Sequence, residues 1–285
     1  MQAPQRAPAA LVVDPVQPRF GAEIAGIDLR QPLAPALRTQ LRELLLTYKV
    51  LFFRDQDISR EQHLAFAREF GELESHPVGT VEGYPELVFL DSKYERAAIW
   101  HTDTSWRVKP STGAVLRILV LPEVGGDTIW ADGEAAYARL PDDLKEQIDE
   151  LYAVHDAGNI GRNHVKGTTE YEDRRRRLRE NRRTHPLVAH PLVRSHPETG
   201  RKTLYLNPAL VSCIVGMNVE QSTDLLDRLL AEMLRPENLL RFRWRRHSIA
   251  MWDNRNTLHY GVNDYGDAPR RVERATIAGD DIPHR

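Results

Sequence analysis

A mainly β chain with added helices, a β-sandwich or jelly roll, is the fold class that this 285-residue sequence predicts. Two observations carry that prediction. From residue 86 onward, short runs of β-branched and aromatic residues recur between turn signals: "ELVFLD", "TGAVLRILVL", "GGDTIWA", "HPLVRSHP", "KTLYLN", "LLRFRWR", "SIAMWDN" and "RRVERATIAG". Helical periodicity is confined to the N-terminal part and two later stretches. With no repeats and no low-complexity linker, a single domain over residues 1–285 is the simplest organisation.

Taken in order, "LVVDPVQPRFGAEIAGIDL" alternates short apolar runs with Pro and Gly, which predicts a strand and turn pair. "PALRTQLRELLLTYK" carries Leu37, Leu41, Leu44 and Leu45 at helical spacing, and "VLFF" at 50–53 follows as a short buried strand. "SREQHLAFAREFGEL" reads as a helix with Ser59 as N-cap and Gly71 as stop, and His63 within it reads as a surface or packing residue. Two further helical stretches are "GEAAYARLPDDLKEQIDEL" and "VEQSTDLLDRLLAEML". Residues 158–185 break the pattern, with seven arginines between Arg174 and Arg183 and almost no apolar residues. That segment reads as a solvated helix, as a lid or insert over a pocket with His164 and Lys166 as candidate substrate contacts, or as an arm at a subunit contact.

Composition narrows the function. Hydrophobic content of 41 %, 28 % charged residues and a net charge of −2 are those of an ordinary globular protein. Nothing in that balance favours nucleic acid or an anionic membrane as partner. No apolar run approaches the roughly 18–20 residues that span a bilayer. No basic segment with a long apolar core opens the sequence, so cytoplasm is the expected compartment. The single cysteine, Cys213 in "PALVSCIVGM", excludes a disulfide within the chain and reads as a buried inert thiol.

The chemistry starts at "AAIWHTDTSW". In an extended chain alternate side chains share a face, so His101 and Asp103 project together. A third ligand is best sought far downstream in "MWDNRNTLHYGVNDY", at His259. Two imidazoles and one carboxylate that leave further positions open are the facial triad of non-haem Fe(II) oxygenases. Zinc hydrolases use similar ligands, so the triad alone does not fix the metal. A second feature separates the two. Arg270 and Arg274 in "RRVERATI" are four apart on a strand and share a face, while Arg271 and Glu273 point the other way and can pair with each other. Inward arginines need anions, and the guanidinium fork suits a carboxylate or sulfate group. Thr128 in "GGDTIW" adds a hydroxyl behind a tight Gly-Gly turn. Such a hydroxyl and guanidinium could hold the distal carboxylate of a dicarboxylic cosubstrate, which a hydrolase would not need.

In these motifs the chain closely resembles the taurine/2-oxoglutarate dioxygenase family, which includes alkylsulfatases and phenoxyalkanoate dioxygenases. The resemblance runs from "GAEIAGIDL" through "FAREFGELESHPV", "WHTDTSW", "GGDTIWA" and "HPLVRSHPETGRKTLYLN" to "WDNRNTLHYGVNDY" and "RRVERATI". It implies a double-stranded β-helix, the cupin-like jelly roll. It implies Fe(II) held by His101, Asp103 and His259, with 2-oxoglutarate and O2 as cosubstrates and with succinate and CO2 released as the substrate is hydroxylated. It implies that Thr128 and Arg270 bind the distal carboxylate of 2-oxoglutarate, and that Arg274 and His76 meet the anionic group of the primary substrate. Retention of Asp103 argues against halogenation.

Two departures bear on that substrate. Taurine enzymes carry an aromatic hydroxyl where this chain has Gly79, and an amide in the stretch that here reads Ala97, Ala98, Ile99. A small polar amine would lose its hydrogen-bond partners there. An anion with an apolar body is expected instead: an alkyl sulfate, a sulfonate or a carboxylate. The rival readings are a taurine dioxygenase proper, a zinc-dependent jelly-roll hydrolase or lyase, and a non-catalytic jelly-roll binding protein. The expected partners are a small anionic substrate and further copies of the chain, as a dimer or tetramer.

Overall fold

The computed structural model describes residues 11–76, 79–94, 98–157, 176, 180 and 182–285. Ala97, His164, Lys166 and most of the 158–185 segment lie outside the described residues.

The chain opens with the expected hairpin, β1 (Val12–Gln17) paired antiparallel with β2 (Phe20–Ala25). Strand β2 then runs parallel to β3 (Val50–Phe53). A parallel pair needs a crossover, which α1 (Pro35–Tyr48) supplies. That helix starts on Pro35, where the missing N–H costs nothing, and buries Leu41 and Leu45. Helix α2 (Arg60–Arg68) begins as its sequence predicts: Ser59 and Gln62 form a reciprocal capping box.

Four more segments extend the sheet beyond β3: β14 (Ile249–Asp253), β6 (Gly113–Val120), β16 (Arg271–Ile277) and β5 (Tyr84–Asp91), with the short β4 (Thr80–Val81) at the edge. Its central strands β3 and β14 are buried on both faces, and period-two alternation decides which residue faces where. In "VLFF", Leu51 and Phe53 join a core under α1 and α2, while Val50 and Phe52 face the opposite side. In β14, Ile249 and Met251 take the helix side, and Ala250 and Trp252 the other. In β16, Ala275 and Ile277 lie under the helices and Val272 faces away from them. Arg274, two residues from Val272, shares that inner face.

A second sheet layer packs on the inner face. It comprises β13 (Leu239–Phe242), β7 (Thr128–Asp132) and β15 (Thr257–Gly261). Trp130, Leu240 and Phe242 meet Phe52 and Trp252 in the core between the layers. Phe52 and Phe242 stack with centroids 3.9 Å apart. Two smaller sheets continue outward: β12 (Val211–Ile214), β8 (Tyr152–His155) and β9 (Val188–Pro191), then β10 (Val193–Ser195) with β11 (Lys202–Leu204). Their apolar faces pack with α3 (Gly133–Arg139), α4 (Asp142–Ile148) and α5 (Val219–Met233). This layered, mainly antiparallel arrangement is the predicted jelly roll. Among the described residues no helix is long and apolar enough to cross a membrane.

Several local expectations change. The stretch "GEAAYARLPDDLKEQIDEL" is two helices, because Leu140 turns extended before Pro141, which caps α4. "HPLVRSHP" is divided between β9 and β10, and β8 and β12 form where no strand was expected. Cys213 is half-buried. Arg271 and Glu273 do not pair with each other. Arg271 reaches Asp91 at 2.8 Å, whereas Glu273 is fully buried on the helix side and bonded to Arg60 and Arg117.

Glu273 accepts from Arg60 Nε at 2.8 Å and from Arg117 Nε and Nη2 at 3.0 and 2.6 Å. Burial pushes its pKa up, but the hydrogen bonds from Arg60 and Arg117 more than reverse this and hold it below the ordinary value. A depressed folded-state pKa stabilises the fold above the unfolded value of about 4.3 and loses that contribution as pH falls below it. Glu273→Gln is therefore expected to lower stability at neutral pH by roughly 3–5 kcal/mol, the cost of leaving a buried charge unpaired. The gap between wild type and variant should narrow as pH falls below that value. Denaturant unfolding at a series of pH values measures it, and a gap independent of pH would reject the assignment.

Candidate active site

His101 and His259 are brought together by backbone pairing across 158 residues of chain. Each donates its N–H to the other's carbonyl, at 3.0 and 2.8 Å, an isolated antiparallel bridge beside β15. Their rings lie 4.1 Å apart. Asp103 completes the group: its Oδ1 is 3.9 Å from His101 Nε2 and 4.0 Å from His259 Nε2. One ligand atom from each of the three lies within 4.8 Å of the others.

The surroundings set the protonation states. His101 Nδ1 lies 2.8 Å from the Ile99 carbonyl, which fixes the N–H there and leaves Nε2 with its lone pair facing the cluster. Burial, reinforced by His101, drives the pKa of His259 far below its ordinary value, so its ring is neutral at pH 7. Burial raises the pKa of Asp103, but Arg274, His259 and His101 together pull it below the usual carboxylate range. Two imidazoles and a buried ionised carboxylate are a donor set for a divalent first-row cation.

The loop carrying Asp103 is held from behind. Thr104 adopts the left-handed region at φ 49°, and its hydroxyl accepts from the Ser111 N–H at 2.9 Å. Thr102 Oγ1 donates to the Asn254 carbonyl at 2.7 Å. Asn207 donates to the Thr102 carbonyl and to Ser105 Oγ, which also meets His155 Nδ1 at 2.8 Å. The Asn254 amide stands 3.5 Å from Asp103 Oδ2 and is itself oriented by Trp252 and Ser111. His155, His190 and His196 are buried, and His196 bonds Asp253. Tyr260 packs on Trp100.

Alternation in β7 turns Thr128 to the same face as Trp130, toward the interior. Gly125 and Gly126 form the predicted tight turn, with φ of 84° and 72°. A Cβ on Gly126 would stand 3.1 Å from Arg270 Cδ, so glycine permits the close approach. Arg270 donates from Nε to the Gly126 carbonyl at 2.9 Å, and its Nη2 lies 3.4 Å from Thr128 Oγ1. Burial lowers the pKa of this guanidinium. Trp244 donates from Nε1 to Thr128 Oγ1 at 2.9 Å, which leaves the threonine proton free to be donated elsewhere. Trp244 was not among the sequence candidates. Its signal is the alternation of "LLRFRWR", which places Trp244 on one face with Leu240 and Phe242.

Arg274 lies against the metal-ligand candidates: its Nη1 is 2.5 Å from Asp103 Oδ1. His76 Nε2 lies 4.0 Å from Glu74 Oε2. Burial, with Arg274 and Arg107 nearby, lowers the pKa of His76, so a neutral ring replaces the protonated one that an anion contact suggested. Gly79 is exposed with φ 72°, and a Cβ there would meet nothing within 4 Å among the described residues.

Comparison with known proteins agrees with this geometry. Residues 13–276 match the family described as Taurine catabolism dioxygenase TauD, TfdA family. An alkylsulfatase of Acinetobacter baylyi is 39 % identical over 265 residues, covering 92 % of this chain and 83 % of its own. An alpha-ketoglutarate-dependent sulfate ester dioxygenase of Pseudomonas putida is 38 % identical over 279 residues, covering 96 % and 92 %. The crystal structure of a taurine dioxygenase from Burkholderia xenovorans superposes with a TM-score of 0.81 at 34 % identity, covering 96 % of this chain and 92 % of that one. An iron centre, 2-oxoglutarate and O2 are the reactants that such enzymes share, and the His-Asp-His group suits the first of them. This chain belongs to the taurine catabolism dioxygenase TauD, TfdA family and is a 2-oxoglutarate-dependent dioxygenase.

Proposed function

We propose that this dioxygenase hydroxylates an organic anion with an apolar body, a sulfate ester before a sulfonate or carboxylate. Fe(II) would be held by His101, Asp103 and His259, and 2-oxoglutarate by Thr128 and Arg270. When bound, the iron and its cosubstrate supply the oxidising chemistry, with decarboxylation of 2-oxoglutarate to succinate and CO2.

The chain's own residues do the rest. The Ile99 carbonyl takes the Nδ1 side of His101, which turns Nε2 toward the cluster, and burial keeps the His259 ring neutral. Asn254 orients Asp103. Arg270, aligned by the Gly126 carbonyl, meets the distal carboxylate with its fork, and Thr128 adds its free hydroxyl proton. Arg274, already beside Asp103, places the substrate anion next to the reacting centre. Hydroxylation at the carbon bearing a sulfate gives an unstable adduct, which collapses to an aldehyde and hydrogen sulfate.

The observation that carries the substrate reading is the Arg274 guanidinium at the metal-ligand group, 2.5 Å from Asp103 Oδ1, which suits an anion. Gly79, exposed in the fold, withholds the aromatic hydroxyl that would hold an amine. The two sulfate-ester relatives, similar over nearly the whole chain, support the same choice. We propose further that residues 1–285 act as one domain in a cytoplasmic homo-oligomer. The core between the sheet layers draws on strands from both ends of the chain, which supports the single domain.

The test is a panel of taurine, medium-chain alkyl sulfates, alkyl sulfonates and aryloxy carboxylates, with succinate release measured against a substrate-free blank. Alkyl sulfates are expected to give the highest kcat/KM, with taurine at least about tenfold lower, the scale on which lost polar contacts discriminate. Taurine as best substrate would overturn the reading of Gly79. Turnover of uncharged substrates alone would remove the anion role from Arg274.

A further inference from the structure

Beside the Arg274–Asp103 pair stands a second buried carboxylate. The Glu74 N–H donates to the Thr276 carbonyl at 2.9 Å, two residues along β16 from Arg274, and Leu73 bridges Ile277. This pairing leaves Glu74 only 5 % exposed. Its Oε2 lies 3.3 Å from Arg107 Nη2 and 4.0 Å from His76 Nε2. Arg107 belongs to the turn that Asp103 and Thr104 begin, since its N–H donates to the Thr104 carbonyl. Glu74, Arg107, His76 and Arg274 therefore cluster at the end of the site where the substrate anion is placed.

The hydrogen bonding of this cluster is incomplete. Arg107 Nε, Arg274 Nε, His76 Nε2 and both Glu74 oxygens are buried without a well-aligned partner. Unsatisfied buried polar atoms are costly, and several together in one place point to a ligand that completes them. Acceptor oxygens on a ligand would satisfy the nitrogens. Burial raises the pKa of Glu74 and the Arg107 guanidinium opposes that shift; the ionised carboxylate that pairs with Arg107 can only accept, so it repels the same ligand. Asp103, which also pairs with Arg274, belongs with the divalent cation it would hold; with His76 neutral, the two guanidiniums and Glu74 then leave a single positive charge facing the anion.

Building on the proposed anionic substrate, we propose that Glu74 is a charge filter: it cancels one guanidinium, so that the pocket takes monoanions such as sulfate esters and excludes dianionic phosphate esters of the same shape. Sulfate and phosphate monoesters are nearly isosteric, so shape alone separates them poorly. Charge separates them, because a phosphate monoester carries roughly −1.5 to −2 at pH 7. A second negative charge next to Glu74 has no counter-charge, and like charges brought together in a desolvated site are strongly disfavoured.

The experiment compares hexyl sulfate with hexyl phosphate at about pH 8, where the phosphate is a dianion. Binding is measured by calorimetry on iron-loaded enzyme with 2-oxoglutarate under anaerobic conditions, and succinate release is measured in air. Wild type is expected to favour the sulfate. Glu74→Gln frees Arg107 to meet the second charge and should shift the affinity ratio toward phosphate by about tenfold or more. Arg107→Gln should shift it the opposite way, which keeps the test decisive if Glu74→Gln does not fold. A wild type that binds both esters equally, or ratios unmoved in both variants while sulfate turnover persists, would overturn the charge filter alone. Absence of succinate release with hexyl sulfate and with every other anion tried would overturn both the filter and the substrate reading beneath it.

Discussion

His259→Ala is expected to abolish substrate-dependent succinate release while the protein remains folded. The ring supplies one of three ligand atoms, and a site reduced to His101 and Asp103 should hold Fe(II) poorly. Losing an outer residue that merely orients a ligand costs about 10–100-fold in metal affinity or activity, so loss of the ligand itself should exceed that. Asn254→Ala provides the internal comparison: it removes the amide beside Asp103 Oδ2 and should fall within that smaller range. Asp103→Ala should be equally inactive, but it also takes the partner from Arg274, so part of its effect will appear as lost stability. His259 is neutral in the fold and its removal orphans no charge, which makes it the cleaner variant. Iron stoichiometry after desalting, circular dichroism and succinate release together measure this. Succinate release near the wild-type rate from His259→Ala would reject the ligand assignment.

What the sequence reveals of this site follows from what short-range periodicity can encode. Alternation fixes the face of a side chain, so Thr128 behind its glycine turn and Arg274 on β16 were legible as inward residues; His101 and Asp103 do converge, but through a single bridge at His101 and a turn at Asp103 and not through an extended strand. The strand character of "VLFF" was legible for the same reason, although all four residues are buried and it was alternation between two cores that placed them. Partners across the chain are not encoded that way. Arg271 and Glu273 looked like a pair because they are near neighbours on the outward face. In the fold Asp91 claims the first, and Arg60 on α2 with Arg117 on β6 claims the second. Glu74 and Arg107 are 33 positions apart and carry no motif of their own; only the bridge of Leu73 to Ile277 brings them together beside Arg274. Strands β8 and β12 were missed because "YAVH" and "VSCI" mix polar with apolar residues, so unlike the all-apolar "VLFF" they form neither a continuous apolar run nor a clear alternation. Trp244 was readable as an inward residue, but its role as donor to Thr128 depends on a neighbouring strand.

Arg270→Ala is expected to raise the 2-oxoglutarate concentration needed for half-maximal rate by about tenfold to a hundredfold or more, since a charge-assisted hydrogen bond contributes about 1.5–3 kcal/mol. The guanidinium is well placed for that role. Its Nε is occupied by the Gly126 carbonyl and its Nη2 stands near Thr128, so the fork is oriented before the cosubstrate arrives. Burial already disfavours this cation, and a carboxylate opposite it would restore the lost solvation. The contact is made to the part of 2-oxoglutarate remote from the reacting carbons, so it is the same in ground and transition states. The rate at saturating 2-oxoglutarate should therefore change much less than the requirement. Arg270→Lys should recover only part of the loss, because an ammonium cannot reproduce the planar fork. Thr128→Val removes one neutral hydrogen bond, for which about 0.5–1.5 kcal/mol, or roughly twofold to tenfold, is expected. A 2-oxoglutarate titration of each variant measures the series. An unchanged curve for Arg270→Ala would take the carboxylate role from this residue. Arg271, the next guanidinium along the chain, would not inherit it, because it points to the outer side and is bonded to Asp91.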